Sequence, residues 1–220
     1  AEPGGSPGRL LVVLLVTTGA AAALAWVLAR LIGVVAAGRG TFVQAAFRGN
    51  LTFVGLPLLL TIPEIPRAAA VLTLAPLLVL YNALSVALLL SSRHAGGVGM
   101  IRIMGLEIVR NPIIIASVLG GSVQALGWNL PTVVAATLRP LAGMAVPLAL
   151  LCVGAALVTT PLKGNRRIAT TAALFKTMAS PIIGYAIGRL AGLDRGELLV
   201  VVVLAACPTA AISYTMVREL

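Results

Sequence analysis

The sequence predicts an all-α polytopic membrane protein, with about seven transmembrane helices forming part of an inverted-repeat bundle that contains two broken helices. Three observations predict it. Of the 220 residues, 60% are hydrophobic and 10% charged, and the mean hydropathy is +1.07, a composition suited to a bilayer. The apolar residues fall into runs of roughly 20, the length that crosses about 30 Å of hydrocarbon as a helix. Two of those runs, FRGNLTFVGLPLL around Asn50 and LAACPTAAISY around Pro208, are interrupted by Gly, Asn or Pro. An interrupted helix leaves backbone N–H and C=O groups that lipid cannot satisfy, so a break marks a place where protein or a polar cavity must do so.

The spans read in order as Leu10 to Ala37, Thr41 to Ile62, Ala68 to Leu90, Pro112 to Trp128, Leu141 to Thr159, Ile168 to Leu190 and Leu198 to Val217. A Pro-bounded stretch, 131–139, is expected to lie in the interface before the fifth. Seven spans put successive loops on alternating sides. One side collects nine basic residues, Arg39, Arg48, Arg93, Arg102, Arg110, Lys163, Arg166, Arg167 and Arg218; the other holds four, Arg9, Arg67, Arg139 and Arg195. The basic side is the cytoplasmic one, which puts the N-terminus of this chain outside a plasma membrane that it crosses several times.

The net charge of +10 is spread singly between apolar spans with few aromatics, which reads as cytoplasmic loops and not as a nucleic-acid surface. Cys152 and Cys207 both lie inside apolar runs, so neither a disulfide framework nor a metal site is expected. The opening AEPGGSPG lacks the basic start and cleavage pattern of a signal peptide. It reads as an interhelical loop, and the chain as an interior piece of a longer protein.

Residues 25–34, AWVLARLIGV, are similar to 184–193, GYAIGRLAGL. Arg30 pairs with Arg189 and Gly33 with Gly192, an offset of 159 (189 less 30). The same offset carries Gly49 to Pro208 and Asn50 to Thr209, so the two breaks fall in equivalent places. The paired spans are separated by an odd number of crossings, so the halves enter the membrane from opposite sides. Broken helices at equivalent positions of an inverted repeat point to a transporter with its substrate site near the midplane. A five-span unit would leave this chain short of two spans at its start and one at its end.

The order of these signals resembles the auxin efflux carrier family, which includes bacterial malate or malonate permeases and plant auxin exporters. QAAFRGNLTFVGLPLLL at 44–60 resembles the first crossover helix, with Asn50, Gly55 and Pro57 on characteristic positions. RNPIIIASVLG at 110–120 and AVPLALLCVGAAL at 145–157 resemble the sixth and seventh helices. LFKTMASPIIGYAIGRLAGL at 174–193 resembles the eighth, and LAACPTAAISYTMVREL at 204–220 the second crossover helix. The resemblance implies a ten-helix, five-plus-five inverted-repeat carrier, present here without the first two helices and the last. It also implies one transporter domain over 1–220, in which 10–92 and 168–220 supply transport-domain helices and 100–160 scaffold helices that form a homodimer.

Asn50 sits inside the first break, where its amide either contacts substrate, caps the helix or bonds to a neighbouring helix. Gly49, Gly55 and Pro57 are backbone devices that let the chain turn and interrupt its hydrogen-bond ladder. Pro208 and Thr209 take those places in the second half, with Ser213 and Tyr214 one turn on, lining the site or merely packing. Asn82 is a further intramembrane amide with the same two readings. Lys176 lies about 12 Å along the sixth span from Ile168 at 1.5 Å per residue, either serving the site or snorkelling to the surface.

All six acids, Glu2, Glu64, Glu107, Asp194, Glu197 and Glu219, fall in loops or at span ends, which disfavours proton coupling through a buried carboxylate. The lone His94 lies in a loop, and neither H-E-x-x-H nor G-x-S-x-G occurs, so enzymatic chemistry is not expected. The expected function is alternating-access transport of a small organic anion, whose carboxylate suits the positive ends of half-helices. No cofactor is required. Two rivals stay open: a sodium-coupled symporter of the bile-acid type, and a membrane scaffold or sensor whose Gly143, Gly154, Gly184 and Gly188 only pack helices.

Overall fold

A computed structural model describes residues 7–93, 110, 115–116, 119–120, 122–123, 126–159, 165–210, 213 and 217. Among them the regular structure is helical throughout. The helix α1 (Pro7–Leu31) opens on a proline, whose missing N–H costs nothing at a helix start. It ends at Gly33, held at a φ of 76°. The Gly33 N–H donates to Arg30 O at 3.2 Å and the Val34 N–H to Ala29 O at 2.8 Å, the paired bonds of a Schellman cap. The chain turns there into α2 (Ala36–Phe47), which stops at an extended Arg48.

Beyond the first break, a wide π-helical turn, Leu51–Gly55, leads into the short α3 (Leu56–Thr61). The helix α4 (Arg67–Arg93) then runs for 27 residues through Pro76. The helix α5 (Thr132–Thr159) runs continuously through Pro140 and Pro147. The Pro-bounded stretch 131–139 is therefore not a separate interfacial segment but the first turns of α5. Prolines are tolerated in this way where neighbouring groups re-satisfy the freed carbonyls. Eight of the 17 residues of the expected span from Pro112 to Trp128 lie outside the described residues, as do Glu2, His94, Arg102, Glu107, Lys163, Tyr214, Arg218 and Glu219.

The helix α6 (Arg166–Leu174) is capped by the Asn165 side chain, which accepts from the Arg167 N–H at 3.1 Å. A second π-helical turn, Phe175–Ala179, joins it to α7 (Ser180–Leu190). Both π turns end two residues before a proline, Pro57 in one case and Pro181 in the other. A proline ring collides with the carbonyl four residues back, and widening the preceding turn relieves that collision.

The helix α7 closes as α1 does. Gly192 has a φ of 67°, its N–H donates to Arg189 O at 3.0 Å, and the Leu193 N–H donates to Gly188 O at 3.0 Å. The side chain of Arg9 reaches across from α1 to the Ala191 and Gly192 carbonyls, placing a cation at the negative end of α7. The helix α8 (Arg195–Ala206) begins with a capping box between Asp194 and Glu197. It is 12 residues long, as α2 is, and starts 159 residues later.

The helices α1, α2, α4, α7 and α8 share one apolar core that includes Ala25, Val43, Leu77, Val201 and Leu204. Small residues let the backbones approach. A side chain added at Gly184 would place Cβ 2.9 Å from Val201 Cγ1 and 3.2 Å from Thr17 Cγ2. The outer surface is apolar too: Val158 is 88% and Leu190 89% exposed, which suits contact with lipid and not with water. Among the described residues two helices, Pro7–Leu31 and Ala69–Ser92, are long and apolar enough to cross a membrane. The 12 residues of α2 or α8 cover only about 18 Å, roughly half the hydrocarbon thickness.

Gly184→Ala should lower the thermal unfolding temperature of the detergent-solubilised protein, because overfilling a packed contact costs about 1–3 kcal/mol. Gly143→Ala should not lower it, since a Cβ there meets nothing within 4 Å.

Candidate functional site

The two breaks meet. Gly49 and Thr209 form an isolated antiparallel bridge, held by bonds from the Asn50 N–H to Pro208 O (2.8 Å) and from the Ala210 N–H to Arg48 O (3.3 Å). The bonds flank the bridging pair, so the N–H and C=O groups of Gly49 and Thr209 themselves turn outward. The sequence offset makes Gly49 the equivalent of Pro208 and Asn50 that of Thr209, and under it the opposed pairs Gly49–Thr209 and Asn50–Pro208 exchange with one another.

Both interrupted helices arrive at the crossing with their C-terminal ends, where the last carbonyls have no intrahelical donors. Side chains from elsewhere supply them. The Thr209 hydroxyl donates to Ala45 O at 2.8 Å and the Ser180 hydroxyl to Ala46 O at 3.3 Å. The Lys176 ammonium donates to Ala205 O at 2.6 Å. Lys176 is 1% exposed and comes from the π turn before Pro181. Its cation faces the negative end of α8, and among the described residues no carboxylate partners it.

Arg48 lies on the other flank and is 3% exposed. Its guanidinium donates to Ser85 Oγ at 2.8 Å, to Asn82 Oδ1 and to Tyr81 O at 3.5 Å, all on α4. The preceding residue, Phe47, meets Tyr81 edge to face with ring centroids 5.6 Å apart. The reading of Arg48 as a cytoplasmic loop residue is corrected: it is buried beside the crossing. The signal was its position seven residues inside the expected span starting at Thr41. Moving it leaves eight basic residues against four, so the charge bias keeps its sign. Ser180, Ser85 and Tyr81 also went unnoticed, because each reads as an ordinary helix-packing residue.

The structure brings together Asn50, Pro208, Thr209 and Lys176 at the crossing, with Asn82 joined through Arg48. The Asn50 carbonyl accepts the Val54 and Gly55 N–H groups, each at 3.1 Å, which starts the π turn. Gly55 is seated against α8, where an added Cβ would lie 2.9 Å from Leu204 Cδ2 and 3.1 Å from Cys207 Sγ. Gly49 is similarly confined, 3.1 Å from Leu204 O. Pro57 stands beyond them at the head of α3. Pro208 and Thr209 are exposed. Ser213 is buried past the second break, and its Oγ has no hydrogen-bond partner. Cys207 is a buried free thiol whose Sγ lies 3.2 Å from Val203 O. No group of metal-ligating side chains occurs among the described residues.

A family model described as a membrane transport protein matches residues 97–219, more than half of the chain. The chain belongs to this family, that of the auxin efflux carriers. No curated protein matches it. The matched stretch of the transporter includes Lys176, Ser180 and the second break, whereas Arg48, Asn50 and the first break lie before it. The first-half residues of the transporter join the site through the bridge and its hydrogen bonds.

Thr209→Val should destabilise the folded transporter by about 0.6–1.7 kcal/mol, the range for one interhelical hydrogen bond in a membrane, because Ala45 O loses its donor. Equilibrium unfolding in mixed micelles measures this, and Thr209→Ser should restore stability.

Proposed function

We propose that the chain forms the crossing region of a plasma-membrane secondary carrier that moves small organic anions by alternating access. The observation that carries this reading is the buried Lys176 ammonium, held by one carbonyl directly behind an antiparallel crossing of two interrupted helices. Such a cation, three donors on a low-dielectric site, favours an anionic guest on the open side formed by Asn50, Pro208 and Thr209. The outward N–H groups of Gly49 and Thr209 lie on opposite edges of the crossing, so a carboxylate would take one of them, and Ser213 is a further donor on the second half.

The matching Schellman caps, the equal lengths of α2 and α8, and their antiparallel contact support an inverted repeat. On that reading the chain supplies about seven spans of a five-plus-five carrier, with its N-terminus outside. The exposed α5 fits a scaffold element that α1–α4 and α6–α8 rock against, and a homodimer through the scaffold follows from the same reading. The reaction is translocation and not bond chemistry, so no cofactor enters.

A sodium-coupled symporter is the second reading. Half-helix C-terminal carbonyls would be the sodium ligands, but Ala45, Ala46 and Ala205 already accept from Thr209, Ser180 and Lys176. The fixed ammonium stands where a mobile cation would sit, which favours transport without sodium.

Malate flux in proteoliposomes of the full-length protein tests this reading. A charge roughly 7 Å from the anion at an effective dielectric near 20 contributes about 2 kcal/mol, so Lys176→Met should raise KM about tenfold or more. Lys176→Arg should retain part of the affinity, Asn50→Ala should reduce flux without loss of insertion, and replacing sodium by potassium should change nothing. Wild-type kinetics in Lys176→Met would remove the charge from the mechanism, and strict sodium dependence would favour the symporter.

A further inference from the structure

We infer that Arg48 is a positioning residue for the anion site: it fixes the first break against α4 and does not touch the anion. The inference rests on the reading of the crossing as that site. Arg48 is the C-cap of α2, and one residue ties three segments together. Its N–H donates to Gln44 O within α2 at 3.0 Å, and its carbonyl accepts the Ala210 N–H from the second break. Its side chain reaches Tyr81 O, Asn82 and Ser85 on α4.

Tyr81, Asn82 and Ser85 occupy one face of two successive turns. A guanidinium is a rigid planar fork with donors in fixed directions, so binding a carbonyl, an amide oxygen and a hydroxyl on that face defines both its height and its rotation. A lysine at the same place would keep the charge but hold one direction at a time. The Phe47–Tyr81 ring contact braces the same turn of α4 from the preceding residue. Placing a cation at the end of α2 also offsets the negative pole of that helix.

Gly49 and Asn50 follow directly, so the backbone groups that face the crossing inherit the position that Arg48 sets. Relative to α4 they are fixed, and α4 travels with the crossing when the site changes sides. Asn82 acts on the anion through Arg48, which gives that intramembrane amide a role other than direct contact.

Malate binding to the full-length protein in detergent, measured by calorimetry, tests the inference with Arg48→Lys, Asn82→Ala and the double variant. Each single change should raise Kd about fivefold, the size of one lost interhelical hydrogen bond, and the double variant should bind no worse than the weaker single one. Multiplication of the two effects would mean that Arg48 acts independently of Asn82, as a direct anion ligand would, and would overturn the inference. A lowered unfolding temperature with unchanged Kd would overturn it as well, leaving only a structural role. If Arg48→Lys does not fold, Ser85→Ala with Asn82→Ala serves as the second pair, with the same two outcomes. Wild-type protein that binds no malate would instead sink the carrier reading itself, a result visible before any variant is compared.

Discussion

Backbone polar groups have no partner in hydrocarbon, and two helices of this transporter stop partway along their length. The rest of the architecture follows from how those ends are satisfied. Each break supplies what the other lacks: Asn50 donates to Pro208 and Ala210 to Arg48, while Thr209 reaches back to Ala45. Two further carbonyls, those of Ala46 and Ala205, are met by Ser180 and by Lys176, which come from the residue after the second π turn and from within it. With several kcal/mol at stake for each unsatisfied group in lipid, neither break is tolerable alone. Each requires the other, so the crossing is specified by its own chemistry and not only by packing around it.

Proline and glycine do separate parts of that work. Pro57 and Pro181 each follow a widened turn, and the second of these turns carries Lys176 into the core beside Ala205. At Gly49 a Cβ would lie 3.1 Å from Leu204 O, a contact that a small side chain meets once the neighbour gives by a few tenths of an ångström, and Gly55 lets the first break lie against Leu204, where an added Cβ would come within 2.9 Å of Leu204 Cδ2. Gly184 does the same between α7 and α8. The cations then complete the electrostatics: Lys176 and Arg48 stand at the negative ends of α8 and α2, so the crossing carries fixed positive charge among neutral side chains such as Asn82, Ser85, Ser180 and Thr209.

Much of this was legible in the residues, and the part that was not has a physical cause. Hydropathy and the spacing of interruptions located both breaks, and the Arg30–Arg189 and Gly33–Gly192 pairs, read as marks of a repeat, fall on two matching helix caps. Local signals of that kind depend on residues close in sequence. Contacts between distant segments leave no such local signal. Arg48 was hidden for a related reason: a single arginine in an apolar run reads as a loop, and only Asn82 and Ser85, more than thirty residues on, make its burial tolerable. The Thr209 hydroxyl donates to Ala45, a contact between residues 164 apart that no local pattern announces. The expected span from Leu141 already ran through Pro147, but the continuity of α5 through Pro140 was missed because sequence rules for proline assume water, where the helix breaks more readily.

The meeting of Gly49 and Thr209 is the contact on which the carrier reading stands. Opposed residues of this kind have Cα atoms about 4.5 Å apart, within the range that a disulfide spans. Gly49→Cys with Thr209→Cys, in a background of Cys152→Ala and Cys207→Ala, should therefore close an intramolecular disulfide on mild oxidation in native membranes. No disulfide, in protein whose two cysteines both react with a small permeant maleimide, would mean that the breaks do not touch.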